Sequence, residues 1–310
     1  MISQENRAAS VKNQQFDLSQ NRSGLTRSGS VLSRKNAVSL ILKTVVYLAM
    51  GFTIISLAGI LSYILINGVK AFKLSLIFGK FSSQNPSMSF SIVTTCIMIL
   101  LTLLMAAPLS IFCAVYLTEY AKRGSKIVKF IRLATETLAG IPSIVYGLFG
   151  AIFFGTVMGF GYSILTGCLT VAIMLLPVII RQTEEAVKAV PDLYREGSYG
   201  LGAPKLRTVF RIVLPSAMPG IVSAIILSMG RIIGETAALI FTLGTVAQLP
   251  GSLLDSSRTL AIHMFINTRD GGAAGREVAF LTGAVLIVVI FAMNMAASYI
   301  GGKVGKDFEN

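Results

Sequence analysis

The sequence predicts an all-α, polytopic membrane protein with six transmembrane helices, and three observations carry that prediction. Of 310 residues, 54% are hydrophobic and only 13% are charged, whereas soluble domains carry about 25% charged residues. The mean hydropathy is +0.74. The apolar residues fall into blocks of the length a helix needs to cross a hydrocarbon core of about 30 Å. This excludes a cytosolic α/β enzyme and a collagen-like chain.

Residues 1–36 form a polar tail rich in Ser, Asn, Gln and Arg. It has too little apolar surface to order itself, so a disordered cytoplasmic tail is expected. It is not a signal peptide, because the first apolar block starts late and no AxA-type cleavage site follows. The membrane-spanning remainder is assigned to residues 37–310. Its six apolar blocks are read as helices at Val38–Ile66, Phe90–Tyr116, Leu138–Phe160, Ser163–Ile180, Met218–Leu243 and Val278–Ile300. Pro142 and Pro177 are expected to kink the third and fourth, and Gly155-x3-Gly159 marks a possible packing face.

The connections set the orientation. Residues 117–137 are basic (Lys122, Arg123, Lys126, Lys129, Arg132), 181–217 are long and charged, and 244–277 are long, nearly neutral and Gly-rich. With both termini in the cytoplasm, the inner segments hold 19 Lys and Arg against 6 outside, among them Lys70, Lys73 and Lys80. The positive-inside rule therefore places both termini inside. It also gives the net charge of +13 a membrane explanation, and no nucleic-acid partner is expected. Cys96, Cys113 and Cys168 lie in apolar blocks without a CxxC pair and read as small core residues. His263 is the only histidine, so no metal site is expected.

The loop after the fourth block carries the clearest pattern. Pro191 suits the first turn of a short helix, and Gly202 suits the left-handed residue that ends it. Pro204 opens a second short helix to about Val213, with Pro215 and Pro219 at the entry to the fifth span. Glu196-Gly197-Ser198, three residues, Gly202, nine residues, then Ile212-Val213-Leu214-Pro215 resembles the EAA loop of ABC importer permeases, which runs EAA-x3-G-x9-I-x-LP. Gly and Ser replace the two alanines. The resemblance implies a type I importer permease fold, with Glu196, Gly197, Ser198, Gly202, Ile212, Leu214 and Pro215 docking on ATPase subunits. The chain has no GxxxxGK[ST] loop of its own; Gly305-Lys306 is followed by Asp307. No cofactor is expected on this chain, which is no enzyme; Mg-ATP belongs to the partner ATPase.

The fifth block contains Gly230-Arg231-Ile232-Ile233-Gly234-Glu235-Thr236. An arginine mid-span costs about 2.5–3.5 kcal/mol and calls for a partner or a function. Arg231 and Glu235, four apart, would share one helical face, as would Gly230 and Gly234, a small-xxx-small packing face. Two readings stay open: a structural ion pair, or a lining of the substrate path in which the guanidinium receives an oxyanion.

The string GRIIGETAALIFTLG, together with Gly140-Ile141-Pro142-Ser143-Ile144-Val145-Tyr146-Gly147-Leu148-Phe149-Gly150, resembles the phosphate importer permeases over about residues 85–300. Two homologous subunit types form that importer. Residues 237–242 and Arg258-Thr259-Leu260-Ala261-Ile262-His263 look like its PstA type. The resemblance implies a PstC-type permease partner, two ATPase subunits and an extracytoplasmic phosphate-binding protein. It also implies a substrate pathway containing Arg231, Glu235 and Thr236. Import of sulfate or molybdate is the nearest alternative. A secondary transporter driven by an ion gradient is the alternative from another class.

Overall fold

A computed structural model describes residues 39–79, 81–82, 86–122 and 124–307, with side chains to Tyr299. The polar tail expected over 1–36 and Lys80 lie outside the described residues. The chain divides into two compact units, 1–63 and 64–310. In the first, the described residues form the start of α1 (Ser39–Lys70). There the hydroxyls of Thr44 and Thr53 donate to the Leu40 and Ala49 carbonyls. In a lipid phase each polar group must be satisfied within the span, and these two are.

The second unit holds the end of α1 and eleven further helices among the described residues. They are α2 (Leu74–Phe78), α3 (Ser89–Val115, continued by a π turn over Tyr116–Tyr120), α4 (Lys126–Ala139), α5 (Ser143–Gly150, continued to Val157), α6 (Ile164–Lys188), α7 (Asp192–Gly200), α8 (Lys205–Thr208), α9 (Leu214–Gly234), α10 (Ala237–Thr242), α11 (Leu260–Asp270) and α12 (Gly272–Asp307). No strand occurs among the described residues. Five helical segments are long and apolar enough to cross a membrane by themselves. A sixth crossing exists only if α4 and α5 count as one broken span, bent by 102°.

That bend corrects the third predicted helix. Leu138 belongs to the end of α4, the chain turns at 140–142, and Pro142 precedes α5 in extended backbone (ψ 142°). A proline pushes its predecessor out of the helical region and removes a donor. A Gly-Ile-Pro sequence here therefore ends one helix and begins another. Most of the stretch 117–137, expected as a loop, is α4, whose Arg132 joins Lys188 on the Glu184 carboxylate of α6 (2.5 and 2.6 Å). Gly155-x3-Gly159 is no helix face either, because Gly159 lies beyond the helix end with φ +77°. Pro177, expected to kink the fourth span, lies inside α6, which runs unbroken to Lys188. Part of the connection 244–277 is helical too, as α11.

The core is a seam of α3, α6, α9 and α10. Met98 and Ile99 meet Val171, Leu175, Ile232, Ile233 and Leu239, all buried. Cys168 lies inside it with its Sγ 3.4 Å from Met98 Sδ, Cys113 is half-buried, and Cys96 is exposed rather than a core residue. Several hydroxyls on these spans, those of Thr94, Thr170 and Ser228 among them, donate to the carbonyl four residues earlier. This removes the cost of a lone hydroxyl in an apolar interior. Gly147 sets the approach of α5 to α10: a Cβ there would stand 2.7 Å from the Ala238 Cα, so only glycine fits.

Candidate functional site

The elbow between α6 and α9 is built from α6 downward. After Lys188 the chain turns through Pro191 (ψ 138°), which stands just before α7 rather than inside its first turn. Gly202, at φ +81°, ends the α7 turn in the left-handed region as expected. Its amide donates to the Tyr199 carbonyl, and that of Ala203 to the Ser198 carbonyl. Across the bend, Ser198 Oγ and Thr208 Oγ1 share a buried hydrogen bond of 2.8 Å. The second short helix does not stop near Val213. Lys205–Gly234 is one continuous helix, and a π turn over Val209–Val213 stands directly ahead of Pro215, where the ladder loses an amide donor. The elbow is thus a rigid extension of the span that carries Arg231.

Glu196, Gly197 and Gly202 are exposed on this elbow, while Ile212, Leu214 and Pro215 are half-buried. Ile212 and Pro215 line a groove of about 680 Å³ with Val190, Tyr194 and Arg211. Around them Leu193, Leu206 and Leu201, the last 91% exposed, face outward. An apolar cluster of this kind beside charged residues marks a surface that meets another macromolecule.

Sequence reading missed the residue that fixes the elbow. Arg195 Nε and Nη2 both donate to Glu119 Oε1 (3.0 and 2.8 Å), on the π turn that ends α3. Its Nη1 donates to the Val190 carbonyl and to Asp192 Oδ1 (2.7 and 3.1 Å), and its Nη2 to the Val187 carbonyl (3.0 Å). Arg195 therefore caps the free carbonyls at the end of α6 while it ties α7 to α3. The Arg195 and Glu119 side chains are 14% and 7% exposed. In sequence, Arg195 is one of six cations in the loop, and nothing there singles it out.

The membrane-level site differs from the expected pair. The fifth span is not continuous to Leu243. Helix α9 ends at Gly234, Glu235 is extended (φ −70°, ψ 125°), and α10 begins at Ala237. The 100° per residue that would align positions 231 and 235 is lost at this break. Glu235, 8% exposed, uses Oε1 to accept from the Ala238 amide (3.0 Å), so its carboxylate caps α10. Arg231 enters no ion pair or hydrogen bond among the described residues. It borders a cavity of about 620 Å³ between α6, α9 and α12. Thr236 lies at the break, half-buried. A Cβ at Gly230 or Gly234 would meet nothing within 4 Å among the described residues, so the expected packing face is open there.

At the other end of α3, Arg258 is buried and lies over the rings of Phe81 and Phe90 (5.3 and 5.4 Å to the centroids). Burial pushes its pKa down to about 10, and it stays charged. His263, fully buried in α11, meets the edge of Phe90 at 5.7 Å. Burial and the Arg258 cation push its pKa down to about 3, and the Pro86 carbonyl opposes this only in part. The folded ring stays neutral where the unfolded one (ordinarily about 6.5) takes up a proton. Stability is therefore complete above pH 6.5 and falls on acidification toward pH 3, by at most about 1.4 kcal/mol per unit. Melting curves in detergent are expected to show this slope, and His263→Phe to flatten it. Lys70 and Lys73 of the first outer connection are exposed.

The continuous helical seam, the broken α4–α5 span and the elbow between α6 and α9 define an importer permease. The model of the family "Binding-protein-dependent transport system inner membrane component" matches residues 106–306, and the chain belongs to that family. Its relatives include the probable ABC transporter permease protein YqgI of Bacillus subtilis (strain 168), 34% identical over 81% of this chain and 90% of that one. The phosphate transport system permease protein PstA 1 of Mycobacterium tuberculosis (strain CDC 1551 / Oshkosh) is 37% identical over 63% of this chain and 64% of that one. A bacterial ABC transporter involved in the import of the acidic polysaccharide alginate shares the fold at a TM-score of 0.58, with 16% identity over 84% of this chain and 95% of that one. The multi-pass, all-helical ABC importer permease architecture expected from the sequence is the one observed.

Proposed function

We propose that this chain is the PstA-type permease of an ATP-driven importer of inorganic phosphate, set in the cytoplasmic membrane with both termini inside. One observation carries the reading: among the spans stands a guanidinium, Arg231, exposed on this chain, that no carboxylate among the described residues neutralises. A fixed cation without a counter-ion in an apolar layer is costly, and an oxyanion passing through supplies the missing charge. The names of the relatives point the same way. They include PstA 1, and PstC of Haemophilus influenzae (strain ATCC 51907 / DSM 11121 / KW20 / Rd) at 31% identity over 61% of this chain and 67% of that one. A PstC-type partner would complete the pathway around Arg231, Glu235 and Thr236.

The elbow is read as the coupling device. Glu196, Gly202 and the exposed leucines would dock on one of two ATPase subunits, which bind Mg-ATP, and an extracytoplasmic binding protein would deliver phosphate. Because α8 and α9 are one helix and Arg195 locks α7 to α3 and α6, a push on the elbow would reach Arg231 without being absorbed by a hinge.

Gly202→Asp tests this reading. Space around Gly202 is open, so the cost is the left-handed backbone, about 1 kcal/mol for a residue with a Cβ, and the charge placed on the docking surface. The variant is expected in the membrane at near-normal level, with co-purification of the ATPase and ATP-driven phosphate uptake lost. Normal uptake by the variant would sink the coupling role. Uptake driven by an ion gradient without an ATPase would favour a secondary transporter.

A further inference from the structure

The cavity beside Arg231 holds a second polar group that the reading so far leaves unused. It is lined by Val178 of α6, by Ile226, Leu227 and Arg231 of α9, and by Asn294 and Ser298 of α12. Asn294 is the sole amide of α12, in the last third of its apolar stretch 278–300. Its Oδ1 is buried without a hydrogen-bond partner, and the side chain makes no hydrogen bond to any described residue. A carboxamide held in an apolar layer with neither end satisfied costs about 1–3 kcal/mol, and a span that needed only packing would place Leu or Ala there. As placed, Oδ1 is enclosed, so the NH2 end is what reaches the cavity.

We infer that Asn294 is a second ligand of the transported oxyanion, donating from its amide while Arg231 supplies charge, so that the site is shared between α9 and α12. This rests on the pathway reading of Arg231 and deepens it. As placed, the guanidinium and the amide NH2 both present donors to the cavity, which suits a tetrahedral oxyanion. By turning over, the amide also offers an acceptor to the hydroxyl of hydrogen phosphate, which sulfate lacks at neutral pH. Glu235, the carboxylate four residues after Arg231, already has one oxygen engaged on the Ala238 amide.

The test uses the complete importer, with its partner permease, ATPases and binding protein, in proteoliposomes supplied with radiolabelled inorganic phosphate. Asn294→Leu is expected to lower the maximal uptake rate about tenfold, the loss of one buried hydrogen bond of about 1.4 kcal/mol. Assembly and ATP hydrolysis should stay as in the native complex, and Asn294→Gln should restore uptake to within about threefold. Asn294→Asp keeps the shape of the side chain but sets an anion beside the Arg231 cation. It should assemble fully and lower uptake by more than tenfold. Native uptake by Asn294→Asp, or by Asn294→Leu while Arg231→Ala abolishes transport, would overturn this inference and leave the pathway reading standing. Native uptake by Arg231→Ala would overturn the pathway reading itself. Failure of all three Asn294 variants to assemble would make the residue a packing one and end the proposal.

Discussion

Arg231→Ala is expected to abolish phosphate uptake, by about a hundredfold or more, in a complex that still assembles and hydrolyses ATP. A hydrogen bond to a charged group contributes about 1.5–3 kcal/mol, and every ten-fold step takes about 1.4 kcal/mol. The structure sharpens what accompanies that loss. Were Arg231 the partner of Glu235, alanine would strand a buried carboxylate and the yield would fall. Glu235 instead bonds the Ala238 amide (3.0 Å) across the helix break, so the yield should hold. Radiolabelled uptake measured beside membrane content decides between the two. The double variant Arg231→Gln/Glu235→Gln should assemble, since Gln keeps an oxygen for the α10 amide, and should carry almost no phosphate. Recovered uptake in that variant would return Arg231 to packing. Glu235→Ala should lose the cap of α10, worth about 1 kcal/mol.

The second large effect is expected at the elbow. Arg195→Met keeps most of the aliphatic stem but leaves the Glu119 carboxylate, 7% exposed, without its cation. It also uncovers the Val187 and Val190 carbonyls. A buried pair broken on one side costs about 3–5 kcal/mol, a large share of the stability of any domain. Limited proteolysis should therefore cut near 189–204 in the variant and not in the native protein, and the ATPase should dissociate during purification. Glu119→Gln, which retains an acceptor for Arg195, should be milder on both counts. Equal protease resistance in all three proteins would show that the elbow is held by its apolar contacts alone.

Much of the site was legible because it depends on short-range rules. A left-handed residue between two helices needs glycine, and Gly202 has φ +81°. An arginine in an apolar stretch of a span is visible in any hydropathy reading. The helix breaks were harder, since both lie inside apolar stretches where hydropathy does not change. At 140–142, Gly-Ile-Pro was read as a kink and is a bend of 102°. At Glu235 and Thr236 nothing in the sequence breaks the helix. The chain leaves it there because the Glu235 carboxylate starts α10 and Gly147 admits Ala238.

By itself, then, the sequence determined the all-α membrane class, the count of apolar spans to within the one that is broken, the elbow with its glycine, and the cation at position 231. These follow from hydropathy and from backbone conformations open to few residue types, both of which are local. Only the tertiary structure decided who partners whom. It separated Arg231 from Glu235, joined Arg195 to Glu119 across 76 positions of chain, and brought Asn294 of α12 to the cavity of Arg231. Such pairings depend on where a chain returns after a span, which packing of distant helices fixes and no local spacing encodes.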